Sequence, residues 1–207
     1  MSQLSKPEVS GVVAATAMFV EVLVIGIGAL AGVFGCLAAV AGYANMRGIS
    51  TILSSAPASA VALSAAYALG IVVDRAADHL LAPPRRRLRR RYFSTDSSYD
   101  EARKTILEFP NLVAMSDYAR SRMRICRGWL LDCLLLVLAA SLLVWRFPVQ
   151  HRLILFIAVI VLGGVCSAGF YLCWRSITAT GYKKLAQQAT HAAGRVPNQG
   201  GDVAANT

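Results

Sequence analysis

Residues 129–147 read WLLDCLLLVLAASLLVWRF, an apolar run that contains a single carboxylate, Asp132. As a helix rising 1.5 Å per residue, this run is about 28 Å long, close to the ~30 Å thickness of the hydrocarbon layer of a bilayer. Three more apolar blocks lie at 19–43, 52–73 and 153–174. The sequence therefore predicts an all-α, multi-pass membrane protein with four transmembrane helices.

The composition points to lipid, and not water, as the main solvent. Hydrophobic residues make up 56% of the 207 and charged residues only 15%, with a mean hydropathy of +0.53. A soluble domain carries about a quarter charged residues. Its apolar residues also alternate with polar ones instead of forming long blocks. A chain of this size cannot cover such blocks with a core of its own, which argues against a soluble globular domain.

Short connections at 44–51 and 148–152 predict that the four spans pair as two antiparallel hairpins. The chain then divides into five parts. We expect a cytoplasmic or interfacial segment over 1–18, a first transmembrane hairpin over 19–74, a basic cytoplasmic helical segment over 75–127, a second hairpin over 128–175, and a cytoplasmic tail over 176–207 that is disordered after about residue 194.

Basic residues are concentrated between the two hairpins. The 75–127 segment holds 13 of the 21 Lys and Arg residues. Because Lys- and Arg-rich loops stay in the cytoplasm, we expect a cell-membrane protein with both termini inside. Anionic lipid headgroups are the expected partner of its arginine run, in which each arginine adds about 1 kcal/mol: Arg85, Arg86, Arg87, Arg89, Arg90 and Arg91. Nucleic acid is not expected, because only Tyr92 and Phe93 accompany the run as stacking platforms.

Small residues recur four positions apart in three of the spans, which lets helix backbones approach closely in lipid. The predicted packing positions are Gly28, Gly32 and Gly35 in the first span, Ala62, Ala66 and Gly70 in the second, and Gly164 and Ala168 in the fourth. The second span carries another small row at Ala56, Ala60, Ser64 and Ala68. These rows fit either packing within one bundle or a homo-oligomer interface, and two rows on one helix favour contacts on two sides.

Charged residues form a predicted layer near the cytoplasmic boundary of the hydrocarbon. Its members are Glu21, Asp74, Arg75, Asp78, Arg127, Asp132 and Arg175. A carboxylate inside a membrane is costly unless it is paired or hydrated, so such positions are candidate functional sites. The leading interpretation is an ionic latch between acids and arginines that fixes helix register. A proton- or cation-binding site is the alternative.

Motifs for catalysis are weak. Asp74 and Asp78 share a helix face at i, i+4 spacing and could hold a divalent cation beside lipid phosphates, with His79 one residue on. No nucleophile elbow, zinc-binding helix or phosphate-cradling glycine loop accompanies them. The five cysteines show neither zinc-ligand spacing nor a disulfide framework. We therefore expect no cofactor, no metal and no enzymatic activity.

Three functional hypotheses remain from the sequence. The first is a non-enzymatic, self-associating membrane module whose basic cytoplasmic segment binds acidic lipid or a soluble protein partner. The second is a small channel or membrane-permeabilising effector, with a wet path lined by Glu21, Asp74 and the serines Ser54, Ser55, Ser59 and Ser64. The third is a lipid-headgroup enzyme that uses Asp74 and Asp78.

Overall fold

The structure, a computed structural model, describes residues 6–42, 55–107 and 110–193. This part of the chain forms six helices and no strands. The helices are α1 (Lys6–Ala41), α2 (Ala56–Leu80), α3 (Ala82–Arg89), α4 (Asp96–Leu107), α5 (Pro110–Arg146) and α6 (Arg152–Ala193). The predicted connection at 44–51 and the predicted disorder after 194 lie outside the described residues.

Four of these helices are long and apolar enough to cross a membrane. The stretches are Ala15–Ala41, Ala56–Leu80, Tyr118–Arg146 and Arg152–His191. The predicted all-α class is therefore confirmed, and the described part of the chain has the predicted four helices that could cross a membrane. All four helices extend beyond the apolar blocks at one end or both, because no proline interrupts the helical chain there. Helix α5, for example, continues without a break from Pro110 through the arginines that precede the third apolar block.

Helix α2 begins with a defined cap and ends at a turn. The Ser55 hydroxyl accepts a hydrogen bond from the Ala58 amide at 3.4 Å, and Pro57 stands in the first turn, where its missing amide costs nothing. At the other end the Leu81 amide donates to the carbonyl of Ala77. The helix then gives way to α3, whose first turn contains the two prolines that precede the arginine run.

Helices α1 and α2 cross with their backbones in contact. A β-carbon built on Gly26 would overlap the carbonyl of Ala66, and one built on Gly70 would overlap the carbonyl of Val22. Val22 lies against Gly70 and Gly26 lies against Ala66, so the residue number increases along α1 where it decreases along α2. The two helices therefore run in opposite directions. Only glycine fits at both crossing points, which is the close approach that small residues permit between membrane helices.

Helices α1 and α5 run in the same direction along a regular seam. From one end to the other, Gly128 meets Ile25, Asp132 meets Gly28, Leu135 meets Gly32 and Ala139 meets Gly35. The spacing of three and four residues on both helices is that of side chains from one helix packing between those of the other. Glycines on α1 receive larger side chains from α5.

Helix α6 runs back along α5. Trp129 stacks on Phe170 at 6.0 Å between ring centroids, and Trp145 meets Phe156 edge-on at 5.8 Å. Between these contacts, Gly163 packs directly against Val137. Residues 147–151 connect the two helices, and His151 there adopts a left-handed conformation with φ of 55°.

The described chain forms two compact units, one reaching up to Leu81 and including Ser121–Trp174, the other comprising Ala82–Arg120 and the chain from Arg175 onward. The second unit has a small aromatic core in which Phe93, Tyr99 and Tyr182 pack edge to face, with centroids 5.3–6.4 Å apart. Helix α4 is capped by Thr95 and Ser98, each hydroxyl bonding the other residue's amide. This reciprocal cap is a capping box.

Candidate functional site

Five charged side chains and one serine gather at one end of the α1–α5 seam. Helix α5 contributes Ser121, Arg124 and Arg127, α1 contributes Glu21, and α2 contributes Asp74 and Asp78. These six residues are called the ion-pair cluster below. Each helix brings its members to the same place because the α1–α2 crossing and the α1–α5 seam fix the register of all three helices.

Arg127 is the centre of the cluster on the α2 side. Its Nε and Nη2 both donate to Oδ1 of Asp74, at 3.1 and 2.8 Å, and its Nη1 donates to Oδ1 of Asp78 at 2.6 Å. One planar guanidinium group therefore holds two carboxylates that lie one helical turn apart. Charge-assisted bonds of this forked geometry are among the strongest that side chains make.

Arg124 joins the two sides of the cluster. Its Nη1 lies 3.6 Å from Oε2 of Glu21, and its Nε lies 3.8 Å from Oδ1 of Asp74. The Ser121 hydroxyl donates a hydrogen bond to Oε1 of Glu21. Glu21 is thus held by two partners from α5, while Asp74 is shared by two arginines.

The side chains of the cluster are mostly removed from solvent. Those of Asp74 and Glu21 are 11% and 12% exposed, and that of Arg127 is 18% exposed. Three acids face two arginines, so the cluster carries a formal charge of −1. Charges this buried are costly without partners, and here every carboxylate has at least one arginine within 4 Å.

The predicted charge layer separates into three groups in the structure. Glu21, Asp74, Asp78 and Arg127 come together as described, whereas Arg75 and Arg175 are exposed and form no ion pair within the described chain. Arg75 follows Asp74 directly and so points about 100° away around α2. Arg124 and Ser121 were not among the predicted site residues. One feature of the sequence could have predicted the place of Arg124 in the cluster: it lies three residues before Arg127, on the same face of the helix.

Asp132 stands alone, five residues farther along α5 than Arg127. Its side chain is fully buried, and within the described ranges neither carboxylate oxygen has a hydrogen-bond partner. A β-carbon on Gly28 would lie 2.7 Å from its Oδ2. The carboxyl group therefore packs flat against the backbone of α1, in the space that a glycine leaves open.

The small residues predicted for packing are used unequally. Gly28, Gly32 and Gly35 receive α5 side chains, and Ala66 and Gly70 are buried at the α1 crossing, with Ala62 half-buried in the same row. On α6, no heavy atom of another element lies within 4 Å of a β-carbon built on Gly164, and Ala168 is exposed. The second row of α2 is exposed along its whole length: Ala56, Ala60, Ser64 and Ala68.

The arginine run spans α3 and the turn after it. Leu88 is buried, and Arg89 bonds Asp96 at 2.7 Å while its guanidinium lies over the Tyr99 ring at 5.2 Å. Arg85 is half-buried, and the remaining arginines are exposed: Arg86, Arg87, Arg90 and Arg91. The run therefore divides into arginines that belong to the fold of this unit and four that face outward.

The geometry offers little to a metal-dependent reaction at Asp74 and Asp78. The guanidinium of Arg127 lies between the two carboxylates, where a cation would have to sit. In the ranges 6–42, 55–107 and 110–193, no three His, Cys, Asp or Glu side chains group closely enough to hold a metal ion.

The serines considered for a wet path make bonds within their own helix. Ser59 and Ser64 donate to the carbonyls of Ser55 and Ala60, at 3.2 and 2.9 Å, and Ser54 lies outside the described residues. A serine whose hydroxyl is satisfied by its own helix tolerates an apolar surrounding. These side chains therefore need neither water nor a lumen.

No protein-family model, no curated protein and no solved structure matches the chain.

Proposed function

We propose that the protein is a non-enzymatic, self-associating module of the cell membrane. It crosses the bilayer four times as two helical hairpins, with both termini and the basic segment 75–127 in the cytoplasm. The positive-inside bias supports this orientation, because 13 of the 21 basic residues lie in that segment.

One observation carries the proposal of self-association: no described residue of the same chain packs over two of its small-residue surfaces. One is the exposed α2 row from Ala56 to Ala68, and the other is Gly164 with Ala168 on α6. Equivalent small residues on α1 and α2 are already covered by neighbouring helices. Lipid provides no hydrophobic drive for helix association, so much of the free energy of association comes from close packing at small residues.

The outward-facing arginines give the module a contact with the inner leaflet. Arg86, Arg87, Arg90 and Arg91 make no ion pair within the described residues, in contrast to Arg89 with Asp96. At about 1 kcal/mol for each arginine near an anionic surface, the four together favour acidic lipid strongly. A soluble acidic partner would use the same four side chains.

The test measures the mass of the full-length protein in lipid nanodiscs or mild detergent. Wild type is expected to give an oligomer, and Gly164→Leu or Ala60→Leu to reduce it to a monomer without loss of unfolding stability. Gly163→Leu is the matched control, because Gly163 packs on Val137 of the same chain. That substitution should instead lower the unfolding stability. A wild-type protein that is monomeric at every concentration in lipid contradicts the proposal.

A further inference from the structure

The isolated carboxyl group of Asp132 is the feature that the proposed module does not explain. It is 0% exposed, and neither of its oxygens has a hydrogen-bond partner in the part of the chain that the structure describes. Asp132 lies five residues beyond Arg127, about 7.5 Å farther along the helix axis. An ionised carboxylate in this position would carry a desolvation cost of several kcal/mol with no partner to offset it.

We propose that Asp132 is a proton-binding site within the membrane-spanning helices, where its carboxyl group is held as a neutral acid against Gly28. A proton adds almost no volume, so it fits a carboxyl group packed flat on a helix backbone. A metal cation needs several oxygen ligands around it. The described surroundings of Asp132 supply no second carboxylate and no hydrogen-bonded oxygen.

The helices packed around Asp132 offer few groups that respond to its charge. Helix α1 presents Gly28 to it, and Glu21 lies two turns away in the ion-pair cluster. On α5 itself, Cys133 is adjacent and Arg127 is bound to two acids. On α6, Ser167 and Cys166 lie at the same level, between the Trp129–Phe170 and Val137–Gly163 contacts.

Ser167 is the second polar group buried at this level. Among the described residues its hydroxyl also has no hydrogen-bond partner, and the residue is 8% exposed. Two such oxygen-bearing side chains, on neighbouring helices and at one level, are unusual in a low-dielectric interior.

Ile25 separates Asp132 from the ion-pair cluster. It lies four residues after Glu21 and three before Gly28, so all three share one face of α1. Its side chain is 0% exposed and fills the space over Gly128, whose built β-carbon would lie 2.6 Å from Ile25 Cδ1. A proton that exchanges between Asp132 and the cluster has to pass this apolar side chain, and exchange is therefore slow.

Infrared spectroscopy of the full-length protein in lipid tests the proposal, because only a protonated carboxyl group has a carbonyl stretching band separate from that of carboxylate. At neutral pH the difference between wild type and Asp132→Asn is expected to show the loss of one such band. Asp96→Asn is the matched control. The Asp96 side chain is 78% exposed and bonded to Arg89, so its removal should cost only a carboxylate band.

Two further measurements on the same samples keep the proposal falsifiable if Asp132→Asn fails to fold. The wild-type band should shift in deuterium oxide slowly, and in Ile25→Ala it should shift sooner. Raising the pH should abolish the band. Absence of the band in wild type at neutral pH would overturn the proposal. A band that disappears on adding sodium ions at constant pH would also overturn it, in favour of a cation site.

Discussion

The ion-pair cluster and Asp132 both involve α5, yet the fold treats their carboxylates in opposite ways. Glu21, Asp74 and Asp78 each have an arginine within 4 Å, and Asp74 has two. Asp132, one and a half turns farther along, has none within the described chain and is buried more deeply. The difference indicates two roles for acids in one bundle. We propose that one set holds the helices in register through charge and that the other is accommodated by losing its charge.

The largest expected effect comes from removing the arginine that holds the cluster together. Arg127→Ala leaves Asp74 with only the longer contact to Arg124 and removes the 2.6 Å bond from Arg127 to Asp78. We expect a loss of about 3 kcal/mol in the free energy of unfolding, typical of a partly buried charge that loses its partner. Denaturant titration in detergent micelles measures it.

Arg75→Ala is the control for that measurement. Arg75 is exposed and lies beside Asp74 in sequence, so its removal should change the stability by less than about 0.5 kcal/mol. Equal stability of the two variants would show that the cluster does not hold the helices together.

A second substitution acts on the other half of the comparison, at the contact between Gly28 and Asp132. Gly28→Ala places a β-carbon 2.7 Å from the carboxyl oxygen, and overpacking of this kind costs about 1–3 kcal/mol. In an Asp132→Ala background the two nearest obstructing atoms, the carboxyl oxygen and the carboxyl carbon, are absent, so the same change should cost much less. A double-mutant cycle measures this coupling. Additive effects would contradict direct packing of the carboxyl group on Gly28.

A smaller effect is expected when one acid of the cluster loses its charge and keeps its shape. In Glu21→Gln the Ser121 hydroxyl can still donate to the amide oxygen, but the attraction to Arg124 at 3.6 Å is lost. We expect a loss of about 1 kcal/mol. The exposed pair of Arg89 and Asp96 gives the comparison, because Asp96→Asn should cost about 0.5 kcal/mol or less. If both substitutions have the same small effect, Glu21 belongs to an ordinary surface pair.

The spans could be predicted from the sequence because an apolar block is a local property. The composition of residues 129–147 alone predicts a helix long enough to cross a membrane. The helix ends could not be placed so well, since α5 and α6 continue into polar sequence where nothing breaks them. Proline and glycine end helices, whereas a change from apolar to charged residues does not.

The partners of the charges could be predicted only in part, because they depend on the register between helices that are distant in sequence. Arg127 reaches Asp74 across 53 residues, and Ser121 reaches Glu21 across 100. The sequence offered Arg75 and Arg175 as equally good partners. What distinguishes Arg124 is its place on the seam with α1, which only the α1–α5 packing defines.

The two small-residue rows of α2 also show that the sequence pattern alone does not determine which face of a helix contacts another helix. Both have the same spacing and almost the same residues, yet one is buried against α1 and the other is exposed. A signal for the buried row was present, because Asp74 continues it four residues after Gly70. Asp74 is paired with Arg127, and the row of small residues in line with Asp74 is the one that faces α1.

The division of the ion-pair cluster between early and late parts of the chain bears on how the protein is made. Glu21 and Asp74 are synthesised before Arg124 and Arg127, so the arginines that pair with these two acids are the last members of the cluster to be made. Both arginines come from α5. A chain truncated before Arg124 therefore contains these acids of the cluster without the arginines that pair with them in the folded protein.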